Sequence, residues 1–371
     1  MRSRQTGLSM VEVMVAAAIG MIGILIITQA YISSDNFNRA TIGEGGAQTN
    51  GLIALYSVER DVRVAGYGIS DSTALGCGEV FWYYGPNYSK NINAGSPLAR
   101  IRLGPVYITT NGTAPDDITV MAAGDGERMV PTTVKTFVKG SSLLTVDSKI
   151  GFAVNDRILL VKSGAGCTLA QITAVTDPIT DPTNKNIQLN PGTPLNPTAW
   201  GAFPTDYAVG DLVFNLGAAP VMRTYSIANG RLVVNDTLAQ AAGSAALELM
   251  EGIVDLRAQY GKDNGINNGT VSSVAYAPND GQVDQFSNVA PANSAEWQQV
   301  ISIRLAVLSR IGTFEKADAA TGYCMTTTAQ PAWSGGTFTA VNVTSTSEDR
   351  CYRYRVFESI IPLRNMIWRG S

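Results

Sequence analysis

The chain has 371 residues, with 27 Lys and Arg against 30 Asp and Glu, a net charge of −3 and no histidine. That balance is neither basic enough to footprint nucleic acid nor charged enough for disorder. Without His there is no Ser-His-Asp triad, no His-ligated zinc and no imidazole acid–base chemistry. Charged residues make up 15% and hydrophobic residues 45%, and the apolar excess is concentrated rather than spread.

The chain opens Met1-Arg-Ser-Arg-Gln-Thr-Gly7, which is polar and carries Arg2 and Arg4 without an acid. From Leu8 to Ile27 the only ionisable side chain is Glu12. A helix of that length spans about 30 Å, the thickness of a bilayer's hydrocarbon core. Arginines before it and none inside it predict that the rest of the chain lies outside the cytoplasm. A secretory signal peptide ending near Thr28-Gln29-Ala30 and a plain membrane anchor both fit this composition, yet neither explains Glu12. A carboxylate inside an apolar span costs roughly 3 kcal/mol, which marks it as functional and in need of a partner.

The run Gly7-Leu8-Ser9-Met10-Val11-Glu12 followed by an unbroken apolar helix resembles the class III signal of type IV pilins and type II secretion pseudopilins. The resemblance implies that a prepilin peptidase cuts between Gly7 and Leu8 and N-methylates Leu8, leaving the helix attached. It also makes Glu12 the assembly residue, paired with the terminal amine of Leu8 in its own or a neighbouring subunit. Such a pair at about 4 Å and an effective dielectric near 20 gains roughly 4 kcal/mol before desolvation, comparable to the insertion cost.

No proline occurs before Pro86, and helical character continues past the apolar run. Leu52, Leu55, Tyr56 and Val62 follow i, i+3, i+4 spacing, with Glu59, Arg60, Asp61 and Arg63 expected to turn mostly elsewhere. Gly43, Gly45 and Gly46 predict a bend or local melting, or two separate helices. Gly66 and Gly68 supply the stop. The run Val58-Glu-Arg-Asp-Val-Arg-Val-Ala-Gly-Tyr67 resembles the end of the first helix in PilW-type minor pilins, as Ile361-Pro-Leu-Arg-Asn365 resembles their C-terminal end.

Beyond residue 68 the pattern changes to short β runs broken by Gly, Pro, Asn and Asp. Candidate strands are Arg102–Thr109, Asp117–Met121, Val134–Val138, Ser142–Val146, Arg157–Val161, Gln171–Val175, Leu212–Leu216, Val221–Ile227 and Arg231–Asn235. Phe152-Ala-Val-Asn-Asp156 and Tyr207-Ala-Val-Gly-Asp211 look alike, each an aromatic residue, a turn and a strand. Residues 100–216 are expected to form a barrel-like β insertion. Ala246–Gly261 resembles the short helical turn and following strand ending in Tyr-Gly of pilin-type heads, and Trp297–Leu308 alternates as a half-buried strand. Phe81-Trp-Tyr-Tyr84 is expected to pack a first β segment against the helix.

The expected fold is therefore α+β and pilin-like: a leader at 1–7, an assembly helix at 8–67 whose first half spans the membrane, and a β-rich antiparallel head at 68–371. The resemblance implies a non-catalytic minor pilin that helps initiate type IV pilus assembly and sits in the tip complex. Its implied partners are the prepilin peptidase, other minor pilins, the major pilin, a pilus-tip adhesin and the inner membrane. Its head would be periplasmic before reaching the pilus tip outside the cell. A type II secretion pseudopilin and a membrane-anchored periplasmic enzyme or binding protein are the alternatives.

Cys77, Cys167, Cys324 and Cys351 are even in number and contain no C-x-x-C pair, which suits disulfides outside the cytoplasm. Three connectivities exist; because pilin heads often staple a C-terminal loop, the resemblance favours Cys324–Cys351 with Cys77–Cys167. No cofactor or metal is implied. Asp263-Asn-Gly-Ile-Asn-Asn-Gly269 lacks the acid a calcium loop needs at its twelfth position, which is Val274, and reads as a turn. Asp116-Asp117 and Asp177 with Asp181 likewise read as turn formers.

Overall fold

The computed structural model describes residues 9–69, 75, 80–83, 89–91, 103–124, 130–138, 141–162, 167–176, 183, 185–193, 195–196, 206–238, 245–267, 270–271, 278 and 280–367. The fold is α+β, a long N-terminal helix joined to antiparallel sheets.

One continuous helix of 55 residues runs from Met10 to Val64, about 82 Å at 1.5 Å per residue. It passes through all three glycines without a break. Packing explains this at Gly43, which lies against Thr313 and Ile311 of the head, whereas Gly45 and Gly46 face open space. Tertiary contact thus outweighs the ~1 kcal/mol helix penalty of a glycine. The helix ends at Ala65, and Gly66 at φ +79° lets the chain reverse. The Gly66 N–H then donates to the Met121 carbonyl, and the Ala123 N–H donates to that of Tyr67.

The apolar stripe differs from the one expected. Ala47, Ala54, Leu55, Val58, Val62 and Ala65 are buried against the head, while Leu52 and Tyr56 are exposed. Asp61, expected to turn away, is buried on the head side.

Two sheets carry the head. The first is ordered Leu247–Glu251, Arg231–Asp236, Val221–Ala228, Asp117–Ala122, Val106–Thr109; the second Gln285–Ser287, Ile253–Lys262, Val300–Arg310, Tyr354–Pro362. All these neighbours are antiparallel. The helix's second half, both sheets and Trp297 share one core, which includes Val58, Val62, Tyr225, Tyr260, Ile303, Leu305 and Val307.

Two expectations for the last third are corrected. Leu247–Glu251 is a strand paired with Arg231–Asp236, not a helical turn. Val300–Arg310 is buried on both faces rather than half-buried, because Phe338 and Val341 from the following loop cover Ala306 and Leu308.

Most of a separate sheet is built between Ala122 and Val221, which pair directly with each other, and two strands from before Val106 join it. Its order is Ser89–Asn91, Val80–Tyr83, Cys167–Gln171, Arg157–Val161, Leu212–Asn215, Thr132–Phe137, Leu143–Val146, Asn186–Gln188, Ala174–Val175. Cys167–Gln171 and Ala174–Val175 follow one another in the chain yet sit far apart in this order, so the sheet curls onto itself as a barrel. Val134, Leu144, Phe152, Ile158, Ile187, Tyr207 and Val213 fill its interior. A further cluster with Ile69, Leu159, Phe214 and Met222 joins the barrel's outside to the head. Val80–Tyr83 pairs in parallel with Cys167–Gln171 and so belongs to this sheet, not to a layer on the helix.

The two look-alike segments adopt the same turn. The Ala153 N–H donates to Asp156 Oδ2 at 2.8 Å and the Ala208 N–H to Asp211 Oδ2 at 2.7 Å. Asn155 and Gly210 occupy the matching positive-φ positions.

Candidate functional site: the helix and its seat on the head

The helix begins with a reciprocal cap. The Ser9 N–H donates to Glu12 Oε2 at 3.0 Å, and the Glu12 N–H donates to Ser9 Oγ at 3.2 Å. Two N-terminal donors that helical geometry leaves without partners are thereby satisfied. Glu12, exposed, is held by its own backbone next to residue 9. Gly7 and Leu8 lie outside the described residues. From Met10 to Asp35 the helix is apolar and unburied, long enough to cross a membrane.

The second half is fastened at three heights, by polar contacts at its two ends and an apolar one between. Low on the helix, Glu44 pairs with Arg355. At mid-height the Phe357 ring lies on Gly51, where a Cβ would overlap it. Near the top, Asp61 accepts from Tyr225 Oη at 2.6 Å and from Arg223 at 2.9 Å, and Arg223 also reaches Asp236 at 3.1 Å. Burial alone would raise the Asp61 pKa, but the hydrogen bonds from Tyr225 and Arg223 outweigh it and hold the carboxyl below its ordinary value. The Tyr225 hydroxyl is pushed up, first by burial and then by Asp61.

A second buried group ties the head together. Arg257 contacts Asp255 at 3.0 Å and Asp116 at 3.3 Å, and donates to the Thr113 carbonyl and to Thr339 Oγ1. Asp116 also accepts from the Ala258 N–H. It is therefore a buried cross-link between a hairpin loop and the second sheet, rather than a turn former. Burial pushes its pKa up to about 6 against the opposing pull of Arg257. Sequence reasoning missed this cluster because its members are 139 and 141 positions apart along the chain.

Asp263 is buried and accepts from the Gly281 N–H at 2.7 Å, which makes it a loop brace. Among the described residues there is no group of three or more His, Cys, Asp or Glu side chains placed to hold a metal. Asp177 and Asp181 lie outside the described residues. Cys324 and Cys351 are bridged. Cys167 is buried and disulfide-bonded, while Cys77 lies outside the described residues.

A helix left bare along its first half and locked into an antiparallel β head along its second defines a pilin-like protein. Comparison with known families agrees. Residues 2–28 match the prokaryotic N-terminal methylation motif, and residues 219–365 match type IV pilus-assembly protein W. The second match spans the Asp61 partners, both edges of the helix seat and Asn365. No curated protein and no solved structure matches the chain. The two matches support a type IV pilin-like protein, similar at its N-terminus to prepilins and over residues 219–365 to PilW, a family of structural proteins.

Proposed function

We propose that this chain is a non-catalytic minor pilin that helps initiate the type IV pilus and sits in its tip complex. In this reading prepilin peptidase cuts the Gly7–Leu8 bond and N-methylates Leu8. The helix then waits in the inner membrane with the head in the periplasm. The supporting observation is the division of the helix itself: 26 residues with no burial, followed by a half seated in the head. Beyond the apolar span Ile42, Ile53 and Tyr56 stay exposed beside Gly45 and Gly46, which have open space around them. Such a face suits lateral contact with the helices of other minor pilins and of the major pilin. A head of some 300 residues is too bulky to repeat densely along a thin filament, which favours a place at one end, where an adhesin would meet it.

Glu12 is proposed as the assembly carboxylate. One of its oxygens takes the Ser9 N–H; the other is left for the terminal amine of Leu8, in the same or an adjacent subunit. Cys77 is proposed as the partner of Cys167. The barrel, entered after Ala122 and left before Val221, is proposed as an insertion into the head.

The test is deletion of the protein, scored for surface pili and twitching against protein secretion. Loss of pili with secretion intact is expected; normal pili and twitching would overturn the reading. Glu12→Ala should be processed at the leader yet fail to restore pili.

A further inference from the structure

Three of the four strands that border the two head sheets are too short, bulged or occupied to take another strand along their edge. Gln285–Ser287 is three residues long. Leu247–Glu251 pairs through a register shift and gives its last carbonyl to Asn50 Nδ2. Val106–Thr109 is four residues long, and its Ile108 N–H is taken by Tyr260 Oη at 2.7 Å. Proteins blunt sheet edges in these ways because an open edge is a template for pairing with another chain. Tyr354–Pro362 is the exception. It is nine residues long, and its register with Val300–Arg310 runs without a shift from Tyr354 opposite Arg310 to Pro362 opposite Ser302.

The ends of that ladder fix where the remaining main-chain groups point. The Ile311 N–H donates to the Arg353 carbonyl, and the Leu363 N–H donates to the Ile301 carbonyl. Hydrogen-bonded and non-hydrogen-bonded residues alternate in an antiparallel pair, so the odd-numbered residues from Arg353 to Leu363 bond inward. The N–H and C=O groups of Tyr354, Val356, Glu358 and Ile360 therefore point outward, about 7 Å apart. No hydrogen bond to these groups occurs among the described residues. Pro362, which has no N–H, ends the row.

Side chains add a pattern to this edge. Arg355 and Phe357 lie on the helix, so the even-numbered side chains stand on the opposite face. There Val356 is 38% and Ile360 52% exposed. Between them one Glu358 oxygen takes the Ser334 N–H at 3.0 Å, and the other lies 3.9 Å from Arg304.

We propose that strand Tyr354–Pro362 is a docking edge, which accepts an extended segment of another protein as an added antiparallel strand. The four-stranded sheet then gains a fifth. Main-chain hydrogen bonds supply the binding, and the side chains set the choice of partner. The matching segment carries apolar β-branched residues opposite Val356 and Ile360, with a Lys or Arg between them opposite Glu358. A second copy of the strand does not fit. In the self-pairing register with the greatest overlap Glu358 faces Glu358, and like charges directly opposite destabilise a sheet.

Full-length protein in detergent micelles is mixed with about 1 mM of the peptide Thr-Val-Thr-Lys-Thr-Val-Thr, a concentration suited to weak strand addition. Deuterium uptake over residues 354–362 is followed by mass spectrometry, and a peptide with Glu in place of the Lys serves as comparison. The Lys peptide is expected to slow exchange of the outward amides about tenfold, the Glu peptide far less, and neither to change uptake over 247–251. Val356→Pro removes one outward N–H at a place where an edge strand tolerates proline, and should abolish the slowing. Ile360→Lys keeps every main-chain group and sets a like charge beside the peptide's lysine, and should abolish it too. Uptake that the Lys peptide leaves unchanged in the unaltered chain overturns the proposal, as does equal slowing in both variants. Equal slowing by the two peptides overturns the role of Glu358. Slowing that appears without peptide and grows with protein concentration assigns the edge to a second copy and overturns the choice of partner.

Discussion

Asn365, close to the C-terminus, closes the end of the N-terminal helix: its Nδ2 donates to the carbonyls of Val64 at 3.2 Å and Ala65 at 3.0 Å. The last carbonyls of a helix have no intrahelical donors, and here the far end of the chain supplies one. The fold cannot close at the helix until residues 354–365 have docked. Asn365→Ala should lower the stability of the head by about 1–2 kcal/mol. Thermal melting of the detergent-solubilised protein followed by circular dichroism would read this as a drop in Tm.

The contact between Gly51 and Phe357 sets the distance between helix and sheet. Gly51→Ala should destabilise by about 1–3 kcal/mol through overpacking, despite alanine's better helix propensity. Phe357→Leu in the same chain should recover part of the loss in a double-mutant cycle. Gly45→Ala, with nothing within 4 Å of a new Cβ, should be neutral or stabilising by up to ~1 kcal/mol. Equal losses at 45 and 51 would contradict this division of the helix into two faces.

The buried carboxylates give opposite pH responses. Asp116 keeps its proton in the folded state up to about pH 6, whereas in the unfolded chain it loses it near 4. Its contribution therefore makes stability fall as pH rises between those values, by at most ~1.4 kcal/mol per pH unit. Asp61, whose pKa is lowered, contributes stability that is present above about pH 4 and lost as pH falls below it. Asp116→Asn should flatten the urea midpoint between pH 4 and 6, and Asp61→Asn should flatten it below pH 4. A profile unchanged in both variants would refute the assignment.

The Cys324–Cys351 bridge joins residues 27 apart. Its removal in a Cys324→Ser, Cys351→Ser chain should cost about 3 kcal/mol, mainly by freeing the unfolded chain. Because the bridge holds the loop covering Ala306 and Leu308, limited proteolysis should then cut first between 312 and 350, before the barrel or the two sheets are attacked.

Much of the fold was legible one segment at a time. Segments with period-two patterning or a short uninterrupted apolar run, such as Arg157–Val161, became strands with the expected bounds, because strand formation there needs only local pattern and flanking turns. Where the pattern misled, a distant partner had decided the outcome. Leu247–Glu251 is a strand because Arg231–Asp236 offers it a ladder. Tyr56 is exposed and Asp61 buried because Tyr225 and Arg223 stand on the side of the helix that Asp61 faces.

By itself the sequence determined the prepilin-type motif within residues 2–28, the apolar span with its single carboxylate at Glu12, the helix stop at Gly66, and the β character of the chain beyond residue 68. These features depend on neighbours within a few residues, where hydrophobic run length, capping and glycine's backbone freedom act. Only the tertiary structure decided that the helix runs unbroken past Gly43, Gly45 and Gly46, which of its faces the head takes, that Asp116 is buried on Arg257, and that Asn365 caps Val64 and Ala65. Each of these results depends on which surfaces and hydrogen-bonding groups meet across 100 to 300 residues of chain, and local pattern carries no record of such pairings.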